Sequence, residues 1–161
     1  MRDLLRELAR ALRADGFRGS GQTYRRTDEH IIVIVNVQKS RWDARFYVNL
    51  GAEPRRTTDV ARLHHYDCLL RRRVGDDWPV DLADAGLAEV IARVRADAWA
   101  FVAWVERLRN AVATEPVERA VAMFATDARQ RADTARWLAE VATRFGDADR
   151  AATFAQLADG N

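Results

Sequence analysis

Residues 30–38 read HIIVIVNVQ, and no other segment of the chain predicts a β-strand as strongly. Its β-branched side chains favour an extended backbone. Because side chains alternate along a strand, the odd-numbered positions share one wholly apolar face: Ile31, Val33, Val35 and Val37. Asn36 and Gln38 lie on the other face, beside two isoleucines. We therefore expect a strand with one apolar face and one partly polar face.

Three more strand-like segments flank this run, at residues 23–26, 46–50 and 65–74. The polar segment at 51–62 contains Pro54 and predicts a loop. Parallel strands need crossover connections of about a dozen residues or more, whereas most connections here are shorter. The pattern therefore predicts a four-stranded, mainly antiparallel sheet.

Helical periodicity occupies both ends of the chain. Leucines at positions 4, 5, 8 and 12 form one apolar stripe, which ends before Gly16. Apolar residues at helical spacing return from residue 82 to 109, and three shorter helical runs follow up to residue 158. The predicted fold is α+β, with an N-terminal helix, the sheet, and a C-terminal portion of three to four helices. We expect an α+β domain over residues 1–110 and a helical extension over 114–161 packed on it as one structural unit.

Composition indicates a globular chain inside the cell. The 161 residues are 48% hydrophobic, which is enough for one core. No apolar run approaches the ~20 residues that span a bilayer, so no membrane association is predicted. The beginning, MRDLLRELAR, lacks the apolar stretch of a signal peptide. The single cysteine, Cys68, forms no intramolecular disulfide and fits a reducing cytoplasm.

Charge is divided unevenly along the chain. Residues 1–75 carry 16 basic and 9 acidic residues, a formal charge of +7, whereas residues 76–161 carry 10 and 15, a charge of −5. Two interpretations are open: the halves attract each other, or the basic part presents a surface to an anionic partner.

The sequence lacks two common motifs, the glycine-rich motif that binds dinucleotide phosphates and the G-x-S-x-G motif of serine nucleophiles. Gly16, Gly19 and Gly21 form G-x-x-G-x-G, the reverse of the dinucleotide order, and they follow a helix rather than a strand. The glycines therefore predict a turn. Neither serine, Ser20 or Ser40, lies in a G-x-S-x-G motif. No cofactor and no catalytic residue is predicted.

His64, His65 and Cys68 form the one cluster of metal-ligand types. Adjacent histidines on a strand point to opposite faces, and a structural zinc site needs four ligands. We therefore expect no metal site. Cys68 stands beside two leucines and is interpreted as a buried apolar side chain rather than a nucleophile.

The second face of the sheet collects polar side chains from three predicted strands: Asn36, Gln38, Tyr47, Asn49, Arg71 and Arg73. Amides, a phenol and guanidinium groups held on rigid strands can bind phosphate or carboxylate with fixed geometry. An ordinary solvated sheet face is the alternative, because antiparallel sheets commonly expose one side to water.

Five short blocks across residues 16–75 resemble the bacterial domain-of-unknown-function family numbered 4304, and the predicted helix to residue 109 extends the resemblance. The blocks are Gly16-Phe17, Gly21-x-Thr23-Tyr24, Asn36-x-Gln38-Lys39-Ser40, Phe46-x-x-Asn49-Leu50-Gly51 and Cys68-x-x-Arg71-x-Arg73-x-Gly75. The resemblance implies a bacterial α+β domain and supplies no mechanism. It adds Lys39, the sole lysine, to the candidate ligand-binding residues.

We expect a non-catalytic, cytoplasmic binding or interaction protein with a polar, basic sheet face. Its partner would be another protein or an anionic ligand, and a homodimer is left open. The alternative is a small enzyme or nucleic-acid-acting protein that holds a phosphorylated substrate with Gln38, Lys39, Arg71 and Arg73. A nucleic-acid partner is less favoured, because the net charge is only +2 and no binding motif is present.

Overall fold

The chain folds into a helix, a five-stranded antiparallel sheet and four further helices. The computed structural model describes residues 2–40, 46–55, 60–74, 86–127 and 130–160. In chain order the elements are α1 (Arg2–Ala14), β1 (Arg18–Ser20), β2 (Thr23–Thr27), β3 (Ile31–Lys39), β4 (Phe46–Pro54), β5 (Leu70–Arg73), α2 (Leu87–Thr114), α3 (Val117–Phe124), α4 (Arg131–Phe145) and α5 (Ala148–Ala158). The predicted α+β class is confirmed. Gly75 and residues 82–85, the beginning of the helix predicted over 82–109, lie outside the described residues; from Leu87 onwards that helix is α2.

The chain divides into two units, residues 1–103 and 104–161, and the division falls within α2. The first unit holds α1, the sheet and the beginning of α2, and the second holds the end of α2 and the last three helices. None of the helices in the described part of the chain is long and apolar enough to cross a membrane.

The sheet differs from the prediction at three places. Residues 18–20 form β1, where a turn was expected, because Gly19 pairs with Tyr24 of β2. Strand β4 continues to Pro54 instead of ending at Leu50, because its weak strand formers pair with isoleucines and valines of β3. The last strand begins at Leu70, since residues 65–67 form a 3-10 turn. Pairing with neighbouring strands overrides local propensity at the first two places.

One face of the sheet forms the main core of the first unit. Strand pairing places Val35 opposite Leu50, and both side chains are buried. The Tyr24 hydroxyl donates hydrogen bonds to the Leu5 carbonyl (3.4 Å) and the Gly21 carbonyl (2.9 Å), so α1 lies on this face. The beginning of α2 lies there too, because the Arg26 guanidinium stands 4.7 Å from the centre of the Trp99 ring.

An ion pair joins the end of α1 to α2. The Arg95 guanidinium donates two hydrogen bonds of 2.7 Å to the Asp15 carboxylate. These bonds hold the pKa of Asp15 below its usual 3.8, so the carboxylate is ionised at neutral pH.

The other face of the sheet is covered in part by the segment 60–69. Leu63 and Cys68 pack on two buried isoleucines of β3. Polar groups attach the segment at its edges: the Leu69 amide donates to Glu53 Oε2 (2.7 Å), and Arg25 Nη2 donates to the Leu63 carbonyl (2.8 Å). Burial raises the pKa of the Cys68 thiol to about 12, so the thiol stays protonated, as expected of a buried apolar side chain.

In the second unit, the end of α2 packs with α3 and α4 through three aromatic rings. The rings of Trp104, Phe124 and Trp137 lie 6.1 to 6.5 Å apart, centre to centre. Arg150 of α5 caps the C-terminal end of α2. Its Nε donates to the Val112 carbonyl (2.8 Å), and an Nη donates to the Glu115 carbonyl. The guanidinium thus satisfies carbonyl groups that have no partner within the helix.

We expect Gly51→Ala to destabilise the first unit. A β-carbon at Gly51 would lie 2.8 Å from Cys68 Sγ and 3.1 Å from His65 Cα, so the segment above it would have to move. Overpacking of this kind costs roughly 1–3 kcal/mol of unfolding free energy, which urea titration measures. Gly86→Ala is the matched control, because a β-carbon there meets nothing within 4 Å. Equal stability of the two variants would contradict the close approach.

Candidate functional site

A row of polar side chains crosses four strands in register. Strand pairing sets Thr23 opposite Asn36, Asn36 opposite Asn49 and Asn49 opposite Arg73. Directly paired residues share a face of the sheet. Asn36 Nδ2 donates to Thr23 Oγ1 (2.9 Å), and Arg73 Nε donates to Asn49 Oδ1 (3.3 Å). The row therefore contains two hydrogen-bonded pairs, Thr23 with Asn36 and Asn49 with Arg73.

A second pair, Gln38 and Tyr47, supports the end of this row nearest β5. Gln38 Oε1 accepts a hydrogen bond from Asn49 Nδ2 (3.1 Å). The Arg73 guanidinium stands 4.6 Å from the centre of the Tyr47 ring, which is a cation–π contact. Asn49 is buried, and both ends of its amide are engaged. These contacts hold the Arg73 side chain in one orientation.

An open cleft of about 430 Å³ lies beside Asn49, between the sheet and the 3-10 turn. Its lining residues are Asn49, Leu50, His65, Tyr66, Arg71, Arg72 and Arg73. Strand β5 supplies the basic wall, and the turn supplies the aromatic wall. Arg71 Nη1 donates a long hydrogen bond (3.4 Å) to the Tyr66 carbonyl, so the two walls meet there.

Arg71 and Arg73 carry exposed side chains on the same face of β5. Within the described residues of the first unit, no carboxylate lies within ion-pair distance of either guanidinium. Among the described acidic residues of this unit, none therefore forms an ion pair with the basic wall.

The aromatic wall contains the histidine that faces both arginines. Partial burial lowers the pKa of His65 below its usual 6.5; the neighbouring His64 and the guanidinium groups of Arg73 and Arg71 act in the same direction, whereas Asp67 opposes them. The imidazole is therefore neutral at pH 7. Its ring meets the Tyr66 ring edge-on at 5.4 Å, centre to centre.

The structure brings together only part of the predicted set. Asn49, Arg71 and Arg73 line the cleft, and Gln38 and Tyr47 contact those residues from the side. Asn36 lies on the same face but is bonded to Thr23, towards the opposite edge of the sheet. Lys39 is not brought to the cleft: it pairs with Phe46, so alternation places it on the opposite face from Gln38.

Sequence reasoning missed the roles of His65 and Tyr66 because it assigned them to a strand. The sequence nevertheless contained a turn signal, because Asp67 follows His64 by three residues. In the structure, Asp67 Oδ2 accepts a hydrogen bond from the His64 amide (3.1 Å). Among the described residues, no three His, Cys, Asp or Glu side chains are grouped so as to hold a metal ion.

We expect NMR titration to give His65 a pKa below 6.5, and Arg73→Ala to raise it by removing a nearby cation. A histidine whose pKa is lowered by folding favours the neutral form, so the free energy of unfolding should fall as the pH drops below 6.5. Arg10→Ala, at an exposed position of α1, removes an equal charge elsewhere and should leave the His65 pKa unchanged. A His65 pKa at or above 6.5 would contradict this assignment.

Comparison with known proteins agrees with the sequence blocks. A family model described as a domain of unknown function (DUF4304) matches residues 8–99, which is more than half of the chain. The match includes most of α1, the whole sheet, every residue lining the cleft and the first part of α2. Searches of curated proteins and of solved structures found no match. The chain therefore belongs to the DUF4304 family, as its five sequence blocks predicted.

Proposed function

We propose that this protein binds an anionic ligand, through a phosphate or carboxylate group, in the cleft between β5 and the 3-10 turn. The observation that carries the proposal is the pair Arg71 and Arg73, exposed on one wall without a carboxylate partner among the described residues of their unit. Residues two apart on a strand lie about 7 Å from each other, so both guanidinium groups can reach one anion.

The cleft also reduces the entropic cost of binding. Arg73 is already oriented by Asn49 and by the Tyr47 ring, so little side-chain freedom remains to be lost. No described residue accepts a hydrogen bond from its two Nη groups, which can make the paired hydrogen bonds that guanidinium forms with phosphate or carboxylate. The formal charge of +7 over residues 1–75 further favours an anionic partner.

The cleft is open and lined mainly by polar and charged side chains, which suits a charged ligand. We place this binding function in the bacterial cytoplasm. The single cysteine is buried and fits a reducing compartment, and the sequence blocks are those of a bacterial family.

One observation favours the second candidate function, an enzyme that acts on a phosphorylated substrate. His65 lies in the cleft with Arg71 and Arg73, and its lowered pKa leaves a neutral imidazole that can accept a proton at pH 7. Under this alternative the two arginines would hold the substrate, and His65 would act as the general base.

We expect the double variant Arg71→Ala/Arg73→Ala to bind sulfate about tenfold or more weakly, because two charge-assisted contacts are lost. Its thermal midpoint should change little, since substitutions of exposed side chains usually fall within about ±0.5 kcal/mol. Sulfate is a suitable probe because it stays fully ionised across the working pH range. Binding is measured from NMR shifts of the cleft residues.

The control is Arg107→Ala/Arg131→Ala, which removes two exposed arginines that do not line the cleft. This variant should bind sulfate as the unmodified protein does. If both double variants weaken binding equally, the effect is general charge and the site is elsewhere. If Arg71→Ala/Arg73→Ala unfolds, the arginines are structural and the proposal fails.

A further inference from the structure

The aromatic wall of the cleft carries an unusually exposed ring. The Tyr66 side chain is 57% exposed, more than any other large hydrophobic residue in the described part of the chain. Its ring stacks on His64, with centres 5.0 Å apart and planes inclined by 8°. Stacking holds the ring in place even though water surrounds much of it.

The cleft is larger than an inorganic anion requires. Its volume of about 430 Å³ falls in the range of sites that hold whole small molecules, whereas a phosphate or carboxylate group fills only one corner. The two walls also differ in chemistry, since one offers guanidinium groups and the other an exposed aromatic ring. A matching ligand would carry an anionic group at one end and a flat, polarisable ring at the other.

We propose that the ligand is a nucleoside monophosphate, free or at the end of a strand, whose phosphate binds Arg71 and Arg73 and whose base stacks on Tyr66. This assignment rests on the proposed function and names its ligand class. Aromatic side chains stack on all bases, because every base has a π face.

Base identity should matter little at this site. The Asn49 amide, which forms the floor, is engaged at both ends by Gln38 and Arg73, so it has no free edge for hydrogen-bonding a base. Stacking area then sets the order of affinity, and purines bind more tightly than pyrimidines.

The test compares dissociation constants of AMP and ribose 5-phosphate, measured by NMR titration of the full chain. We expect AMP to bind about tenfold more tightly, which is the scale of one base–aromatic stack. Tyr66→Leu should make the two dissociation constants nearly equal, whereas Tyr66→Phe should retain their difference. Because Tyr66 is exposed, both variants should keep the thermal midpoint of the unmodified protein.

Three outcomes overturn the assignment. If AMP binds no more tightly than ribose 5-phosphate, or if Tyr66→Leu keeps the difference, the base does not stack on Tyr66, and anion binding by the arginines still stands. If neither ligand binds and sulfate does not bind either, the proposed function itself fails.

A 5′-phosphorylated pentanucleotide distinguishes a free nucleotide from the end of a strand. Affinity equal to that of AMP indicates recognition of one nucleotide. Much tighter pentanucleotide binding that survives Tyr66→Leu indicates strand binding along another surface.

Discussion

The close approach of the segment 60–69 to β4 at Gly51 shapes the face of the sheet that carries the cleft. Glycine is required there because any side chain would meet Cys68 and His65. The contact is reinforced by a buried carboxylate, Glu53, which accepts the Leu69 amide hydrogen. A buried charge is costly unless it is hydrogen-bonded, so this bond fixes the chain just before β5 begins. The cleft is the space left between that segment and the edge of the sheet.

In and beside the cleft, the polar residues differ in what they contact. Asn49 and Gln38 bond to each other and to Arg73, and they leave few groups free for a ligand. Their hydrogen bonds position the Arg73 guanidinium. Arg71 and Arg73 are exposed, and among the described residues each guanidinium has one hydrogen-bond acceptor, the Tyr66 carbonyl for Arg71 and Asn49 Oδ1 for Arg73. The oriented Arg73 guanidinium lies in the same cleft as a neutral histidine and the exposed Tyr66 ring. Such an arrangement is better suited to selective binding of one ligand than to unselective attraction of anions.

Much of the fold could be predicted from the sequence, because its core follows simple periodicity. The apolar positions of β3 follow the two-residue period of a strand, and the leucine stripe of α1 follows the period of a helix. All four strand predictions lie within or overlap observed strands. The candidate site was predicted in part. Arg71, Arg73 and Asn49 follow from strand alternation alone, whereas His65 and Tyr66 belong to a turn that alternation cannot describe.

By itself, the sequence determined the α+β class, the family and the face on which most of the polar strand residues lie, since these depend on residue order and spacing along the chain. Tertiary structure alone decided the rest. Strand β1 and the extension of β4 to Pro54 depend on pairing between strands. The cleft depends on contacts between residues distant in sequence, such as Glu53 with Leu69 and Arg25 with Leu63. Local propensity carries no information about such contacts, because their energies arise only when the chain has folded.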